Sequence, residues 1–284
     1  MAYSAKILLD SVNPAGVRLT TWELTYPRFI HSELMTHRVF SRNAASSRAI
    51  PVSKSILAVG EDLVKPIFWG KNQSGMQARE ELTGEDVLTC IGAWKQAAID
   101  AITAADLMNT FGAHKQIVNR VLEPFSWITT LVTATEWDNF YNLRLHPDAQ
   151  PEFQHLAKLM HKERSFIFNH SRLKPGQWHL PLMPDRRELD FLVQSKVLTE
   201  EALILICVGR CARVSYLTHN GERDWQADIE LARSLLKSGH MSPFEHVATP
   251  RRFGFGKRFC GNFRGWTQYR KTIPNEDVFV AEST

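Results

Sequence analysis

Hydrophobic positions along the chain follow two periods, and each period predicts its own kind of element. Residues 17–25, "VRLTTWELT", are rich in β-branched and aromatic side chains and predict a strand. Pro27 then opens a helix expected through "RFIHSELMTHRVF", which sets Phe29, Ile30, Leu34 and Met35 on one face. Residues 51–84 are polar and contain glycine, so "WGKNQSGMQ" reads as a surface excursion. From about 86 to 109 the chain is alanine-rich and periodic, which predicts a long helix. Further helices are expected at 114–122, stopped near Pro124, at about 126–144 and at 151–168. Three prolines in "HSRLKPGQWHLPLMPD", 170–185, mark a connector.

Thr199 is expected to cap a helix over 199–213, with Glu200 and Glu201 facing the positive end of its dipole. A last helix, 224–238, ends on Gly239 at the position that favours a left-handed backbone. "VATPRRFGFGKRF" beyond it reads as extended. No tandem repeat or low-complexity tract interrupts this pattern. The expected class is α/β or α+β, helix-rich around a modest central sheet. One domain is expected over 1–284, made of 1–170, a connector at 171–198 and a C-terminal part at 199–284.

Composition changes this picture little. Of 284 residues, 44% are hydrophobic and 23% charged, which predicts a folded globule with a real core and excludes disorder. The net charge of +4 is mild; it suits anionic small molecules without requiring nucleic acid. Four cysteines are too few for a disulfide scaffold in a chain of this length. Cys207 and Cys211 are spaced CxxxC without a second pair or a nearby histidine set, so reduced thiols are expected and no metal. The first residues lack the pattern of a signal peptide, and "ALILICV" at 202–208 is too short to cross a bilayer. A cytoplasmic location with no membrane partner is expected.

Four constellations could carry chemistry. The first is "THRVFSRNAASSRAIP", 36–51, which holds His37, Arg38, Ser41, Arg42, Asn43, Ser46, Ser47 and Arg48 without one acid. Such donors near a helix end bind phosphate or carboxylate, although the same residue types also cap helices and build turns. The second is "NLRLHPDAQPE", 142–152, where Arg144 and Asp148 stand four apart and Asn139 precedes them by about one turn. An ordinary surface ion pair is the plain alternative there. The third is "CARVSY", 211–216, followed by "SGHMSPFEH", 238–246, which crowds His240, Ser242, Glu245 and His246 at a helix-to-loop transition. HExxH is absent, so these groups either satisfy one another in the interior or line a ligand pocket. The fourth is the acid-free strip 246–275. It alternates Arg251, Arg252, Lys257, Arg258, Arg264, Arg270 and Lys271 with Phe253, Phe255, Phe259, Phe263, Trp266 and Tyr269. That pattern suits a flat anionic ligand, either a single nucleic-acid strand or a phosphate-bearing cofactor. Neither a P-loop nor a GxGxxG turn after a strand is present.

Together these pieces resemble the flavin-dependent thymidylate synthases, the ThyX family. Its signature RHRxxSxNxxSxR is matched by "THRVFSRNAASSR", and its other motifs by "NRVLEPF", "NLRLHPDAQPE", "ARVSY" and "GHMSPFEH". The last two stand at 212–246, after the others, whereas the family carries them first; the order resembles a circular permutation. Phage-encoded members look similar, including "NFRGWTQYRK". The resemblance implies a ThyX-like α/β fold and a homotetramer with shared active sites.

Residue by residue, the resemblance implies that His37, Arg38, Asn43, Asn139, His240 and Ser242 meet FAD. Ser46, Ser47, Arg48, Arg120 and Arg144 would hold the nucleotide, with Arg144 and Ser46 at the reacting pyrimidine. Four departures stand out: Thr36 replaces the first arginine of RHR, Ala44 a glutamate, Glu33 a glutamine and Asp148 a histidine. Arg264 or Arg270 is a candidate for the missing cation. The implied reaction is FAD-dependent transfer of a one-carbon unit from methylenetetrahydrofolate to C5 of dUMP, giving dTMP with NADPH as reductant. A relative that hydroxymethylates the base, or that modifies dCMP, is the alternative that Thr36, Ala44 and Asp148 keep open. A non-catalytic single-strand binder is the alternative from another class; it would leave the helical middle of the chain without a role, so nucleic acid is not the expected partner.

Overall fold

The structure, a computed structural model, describes residues 3–165, 170–214, 224–252 and 255–278. Ser215 and Tyr216 of the "ARVSY" motif, and Phe253 and Gly254 of the basic strip, lie outside the described residues. The first half of the chain runs β1 (Ser4–Val12), β2 (Arg18–Pro27), α1 (His31–Met35), β3 (Ser41–Ala44), α2 (Val52–Glu61), α3 (Gly84–Thr110), α4 (Lys115–Val118) and β4 (Trp127–Ala134). It continues with α5 (Asp138–Arg144), α6 (Pro151–Ser165), β5 (Ser171–Arg172), α7 (Arg186–Gln194), α8 (Glu200–Arg213) and α9 (Trp225–Lys237). Four short strands close it: β6 (Ala248–Pro250), β7 (Phe259–Cys260), β8 (Phe263–Arg264) and β9 (Trp266–Gln268).

Five strands form the central sheet in the order β3-β4-β2-β1-β5, antiparallel except where β5 joins β1. The turn between β1 and β2 is set by Asn13, whose Oδ1 accepts from the backbone N–H of Ala15 and of Val17 at 2.9 Å each. Gly16 supplies the positive φ that this turn needs.

Both faces of the sheet are covered, and the pleat sorts the side chains between them. On one face Trp22, Leu24, Tyr26, Ile128 and Val132 pack with Phe40, Phe140 and the Phe153, Leu156 and Met160 side of α6. On the other, Leu131 meets Cys211 and Val214 at the end of α8. A buried polar chain also crosses this second face: His246 Nδ1 to Thr133 Oγ1, Thr133 to Thr21, Thr21 to His179 Nε2, and His179 Nδ1 to Ser11, each 2.7–2.8 Å. Burial pushes both imidazoles down to about 3, with the neighbouring His246 adding to the effect on His179, so both are neutral members of this chain. Its four links tie the C-terminal part of the sequence to the sheet.

A second core lies among α7, α8, α9 and the turn Ser242–Glu245, built on Leu192, Ile204, Ile206, Val208, Ile229 and Phe244. α8 and α9 touch at Gly209, where an added Cβ would stand 2.2 Å from the Asp228 carbonyl oxygen. Arg210 donates to Asp228 at 3.0 Å and also pairs with Glu188, so its charge is compensated where it is buried.

The long helix expected at 86–109 spans Gly84–Thr110, and the helices at 199–213 and 224–238 are α8 and α9. Thr199 Oγ1 accepts from Ala202 N at 3.0 Å, and Gly239 has φ of +72°. Other expectations need correction. The helix at 126–144 is a strand over Trp127–Ala134 and a helix only from Asp138. "WITTLVTA" is β-branched and buried on both faces between β2 and β3, a setting in which no alternation of polar positions marks a strand. The helix after Pro27 stops at Met35, because the Arg42 guanidinium caps it by donating to the carbonyls of Leu34, Met35 and His37. The excursion at 51–84 contains α2, and the extended C-terminal segment forms only short ribbons. The strand Ser4–Val12 was not among the expected elements.

Candidate functional site

β3 carries the centre of the acid-free motif, and its alternation decides which residues are free. Ser41 and Asn43 point inward. Ser41 Oγ accepts from Gln268 Nε2 at 2.9 Å, and Asn43 Nδ2 donates to the Cys211 carbonyl at 3.3 Å. The turn Ser242–Glu245 packs against β3 as well. Segments more than 200 residues apart in sequence therefore meet on this edge strand.

Arg144, at the end of α5, is held from several sides. Its Nε donates to His37 Nε2 at 3.0 Å, and one Nη donates to Thr36 Oγ1 at 3.1 Å and to the Glu33 carbonyl at 3.4 Å. Its guanidinium lies over the Phe153 ring, 4.5 Å from the centroid. His37 is itself buried, 7% exposed, against Phe40 and Phe140. Burial first, and then the charges of Arg144 and Arg42, push its imidazole down to about 4. It is thus neutral at pH 7, with Nε2 free to accept. Burial also draws Arg144 below its usual range, opposed by the Glu33 carboxylate. Among the described residues, Arg144 makes no ion pair within 4 Å.

Beyond β3 the chain turns at Ser47–Ala49, and here the environment differs. Ser47 is buried and donates to Glu123 Oε1 at 2.6 Å, while Asn119 Nδ2 donates to the Ser47 carbonyl at 2.7 Å. Glu123 also accepts from Arg120 at 3.1 Å and stands 3.8 Å from Arg28. Arg48 and Arg38 are exposed, and Ser46 is half-buried.

Residues 17–167 match the family described as thymidylate synthase complementing protein, Thy1, the flavin-dependent thymidylate synthases. The chain belongs to this family. The matched segment contains the signature motif, Arg120, Asn139 and Arg144, while the "ARVSY" and "GHMSPFEH" motifs lie outside it. No curated protein matches the chain. Among solved structures, two of the similar ones are of the UMP/dUMP methylase PolB from Streptomyces cacaoi. One is bound with 5-Br dUMP (15% identity, TM-score 0.49, covering 58% of this chain and 90% of that one). The other is bound with 5-Br UMP (15% identity, TM-score 0.47, covering 58% of this chain and 89% of that one).

Membership gives the departures from the Thy1 motif a physical reading. Thr36, where the motif has arginine, accepts from Arg144 and donates to the Glu33 carbonyl, so a small neutral hydroxyl stands beside the guanidinium in place of a second cation. Asp148 pairs with Arg79 at 3.5 Å, so it does not form the ion pair with Arg144 that their spacing allowed. Arg264 is bidentate to Glu136 at 2.7 and 3.0 Å, and Arg270 is paired with Glu245 and Glu276 at 2.7 and 2.6 Å. Both candidate cations already have carboxylate partners. Asn139 is exposed on α5, Ser242 is exposed, and exposed His240 bonds Ser238 at 2.9 Å. Glu123 and Phe153 were not singled out by sequence. The "VLEP" stretch contained the first as an acid beside Arg120, and the helical spacing of α6 contained the second only as an apolar position. No described helix is long and apolar enough to cross a membrane.

Proposed function

We propose that this protein transfers a one-carbon unit from methylenetetrahydrofolate to C5 of dUMP, giving dTMP, with FAD bound and NADPH as reductant. The observation that carries this reading is the mounting of Arg144: a guanidinium fixed by a neutral histidine, a hydroxyl and an aromatic face, without an ion-paired carboxylate. A pyrimidine becomes reactive at C5 when negative charge on its ring oxygens is stabilised, and a fixed cation does this without reorganising. Ser46, on the turn that follows β3, would orient the ring.

The donor set suits two phosphate-bearing ligands. Arg38, Arg48 and Asn139 are exposed, and the stretch 36–48 contains no acid. In this reading Arg48 and Arg120 hold the nucleotide phosphate, with Ser47 shaping the loop. Arg38, Asn139, His240 and Ser242 hold FAD, which supplies hydride chemistry when bound. Buried His37 and Asn43 would act through what they position, His37 through Arg144 and Asn43 through the end of α8. The seating of Ser242–Glu245 on β3 supports the view that the C-terminal motifs complete the same site in a permuted order, within a single domain. A cytoplasmic homotetramer, in the host cytoplasm if the chain is phage-encoded, belongs to the same proposal.

The test is anaerobic incubation of purified protein with FAD, dUMP and methylenetetrahydrofolate, with and without NADPH, and identification of the nucleotide by mass. dTMP formed only with NADPH is the expected result. Hydroxymethyl-dUMP formed without NADPH would move the activity to base modification, and unchanged dUMP would reject the reading.

A further inference from the structure

The acid-free strip 246–275 divides in two once its partners are known. At its far end the cations are answered: Arg264 by Glu136, Arg270 by Glu245 and Glu276, and Lys271 by Glu276. At its near end Arg251, Arg252, Lys257 and Arg258 have no carboxylate within 4 Å among the described residues. Arg252, Lys257 and Arg258 are exposed, and Phe255 among them is 44% exposed. The guanidinium carbons of Arg251 and Arg258 lie 5.4 and 5.1 Å from the centroid of the Phe255 ring. Beside them runs an open groove of about 500 Å³, walled by Gly176, Thr249, Pro250 and Thr267 and lined by Arg251, Arg252 and Phe255.

The loop that carries these charges is pinned. Asn13 Nδ2 donates to the carbonyls of Gly256 and Gly265 at 3.0 and 2.9 Å, and Arg251 Nη1 donates to that of Phe259 at 2.8 Å. An added Cβ at Gly265 would stand 2.0 Å from the Gly256 carbonyl oxygen, so the two arms of the loop cross at contact distance. Four like charges are thus held together before any ligand arrives, and their summed field attracts an anion. Three of them are arginines, whose planar forks match phosphate. A base finds both a phenyl ring and guanidinium planes to stack on. Charges spread along an open groove suit a run of phosphates better than a single one, and a concave surface disfavours a membrane. We infer that this groove binds single-stranded nucleic acid, with phosphates on Arg252, Lys257 and Arg258 and a base against Phe255. None of its lining residues belongs to the nucleotide and FAD set proposed above. It adds a partner that the sequence alone did not favour.

The probe is a labelled single strand of about 15 deoxyadenylates, whose bases are not pyrimidines, followed by fluorescence anisotropy with the full-length protein. The expected result is saturable binding that weakens with salt at a log–log slope of about −2 to −3, as for three or four neutralised phosphates. Arg252→Glu combined with Arg258→Glu weakens binding by roughly tenfold or more, while Arg252→Lys with Arg258→Lys keeps most of it. Phe255→Ala costs about fivefold or more through lost stacking. Lys271→Gln, whose charge is already answered, and Arg48→Ala, in the other basic motif, leave binding unchanged. Absence of binding, equal affinity for a duplex of the same length, or loss in Arg48→Ala but not in the double glutamate variant would each overturn the inference. So would binding to phosphatidylserine vesicles that the single strand does not displace, which would make the groove a membrane contact. None of these outcomes depends on the proposed catalytic activity, and failure of that activity would leave this result standing.

Discussion

Arg144 and Arg120 belong to the same proposed site, yet the protein treats their charges in opposite ways. Arg144 is half-buried and held by uncharged groups, so its orientation is fixed while its charge stays uncompensated by any ion pair. Arg120 is exposed and shares Glu123 with Ser47, so its charge is largely answered inside the protein. A fixed cation is useful where negative charge develops during a reaction, because its field is in place beforehand. A cation that already has a carboxylate partner suits a ligand that arrives with its own charge and displaces that partner. Under the proposed function, the difference would give chemistry to the first arginine and recognition to the second.

The largest expected effect breaks the comparison at its stronger side. Arg144→Ala should lower the rate of product formation by about 10²–10³-fold, the range typical for loss of one preorganised donor. Arg144→Lys should recover little, because an ammonium lacks the separate Nε and Nη positions that reach His37 and Thr36 and has no planar face to lie on Phe153. Single-turnover kinetics with each variant checks this; a loss under threefold would remove the distinction between the two arginines. His37→Leu keeps the packing but takes away the acceptor of Nε. The expected loss is about tenfold in kcat, with less change in KM, since a misaimed charge acts in the transition state more than in binding.

Acid should reproduce part of that loss. The imidazole of His37 titrates near 4 when folded, below its usual 6.5, so the neutral acceptor persists above pH 4 and disappears below it. The same depression has a sign for stability. Between 6.5 and 4 the unfolded chain takes up a proton that the folded chain refuses, so stability falls as pH falls through that window. His246 and His179, near 3, extend the window downward with the same sign. Urea unfolding at pH 7 and pH 5 measures the slope. His179→Gln should flatten it, although the variant is less stable at pH 7 because the chain from Ser11 to Thr21 is interrupted. An unchanged slope would mean that His179 does not resist protonation.

Sequence made some of this legible, and for identifiable reasons. Helix ends that rest on a local device could be read: Thr199 as a cap and Gly239 as a left-handed terminus need only their neighbours. The strand from Trp127 could not, because what makes it a strand is pairing with β2 and β3, which come from elsewhere in the chain. The residue types of the site were visible in the motif, and Arg144 stood out with them. Their division of labour was not visible. Nothing local to His37 says that it is buried behind Arg144, since their contact spans 107 positions. Nor did Thr36 explain itself until its hydroxyl was found against the same guanidinium.

The smallest expected effect sharpens the comparison at its weaker side. Glu123→Gln keeps a partner for Ser47 and removes the charge that answers Arg120. Because the Arg120 side chain is 57% exposed, solvent screening limits the consequence. KM for dUMP should fall by about two- to threefold with kcat unchanged, and the gain should fade as salt is raised, as expected for an exposed electrostatic contact. Arg120→Ala should raise KM, and adding Glu123→Gln to it should then change nothing further, since the carboxylate would have no arginine left to restrain. A rise in KM for Glu123→Gln alone would mean that the carboxylate aims Arg120 rather than restrains it. Both arginines would then depend on being held, one by neutral groups and one by a charge, and the contrast would lie in the kind of support and not in the role.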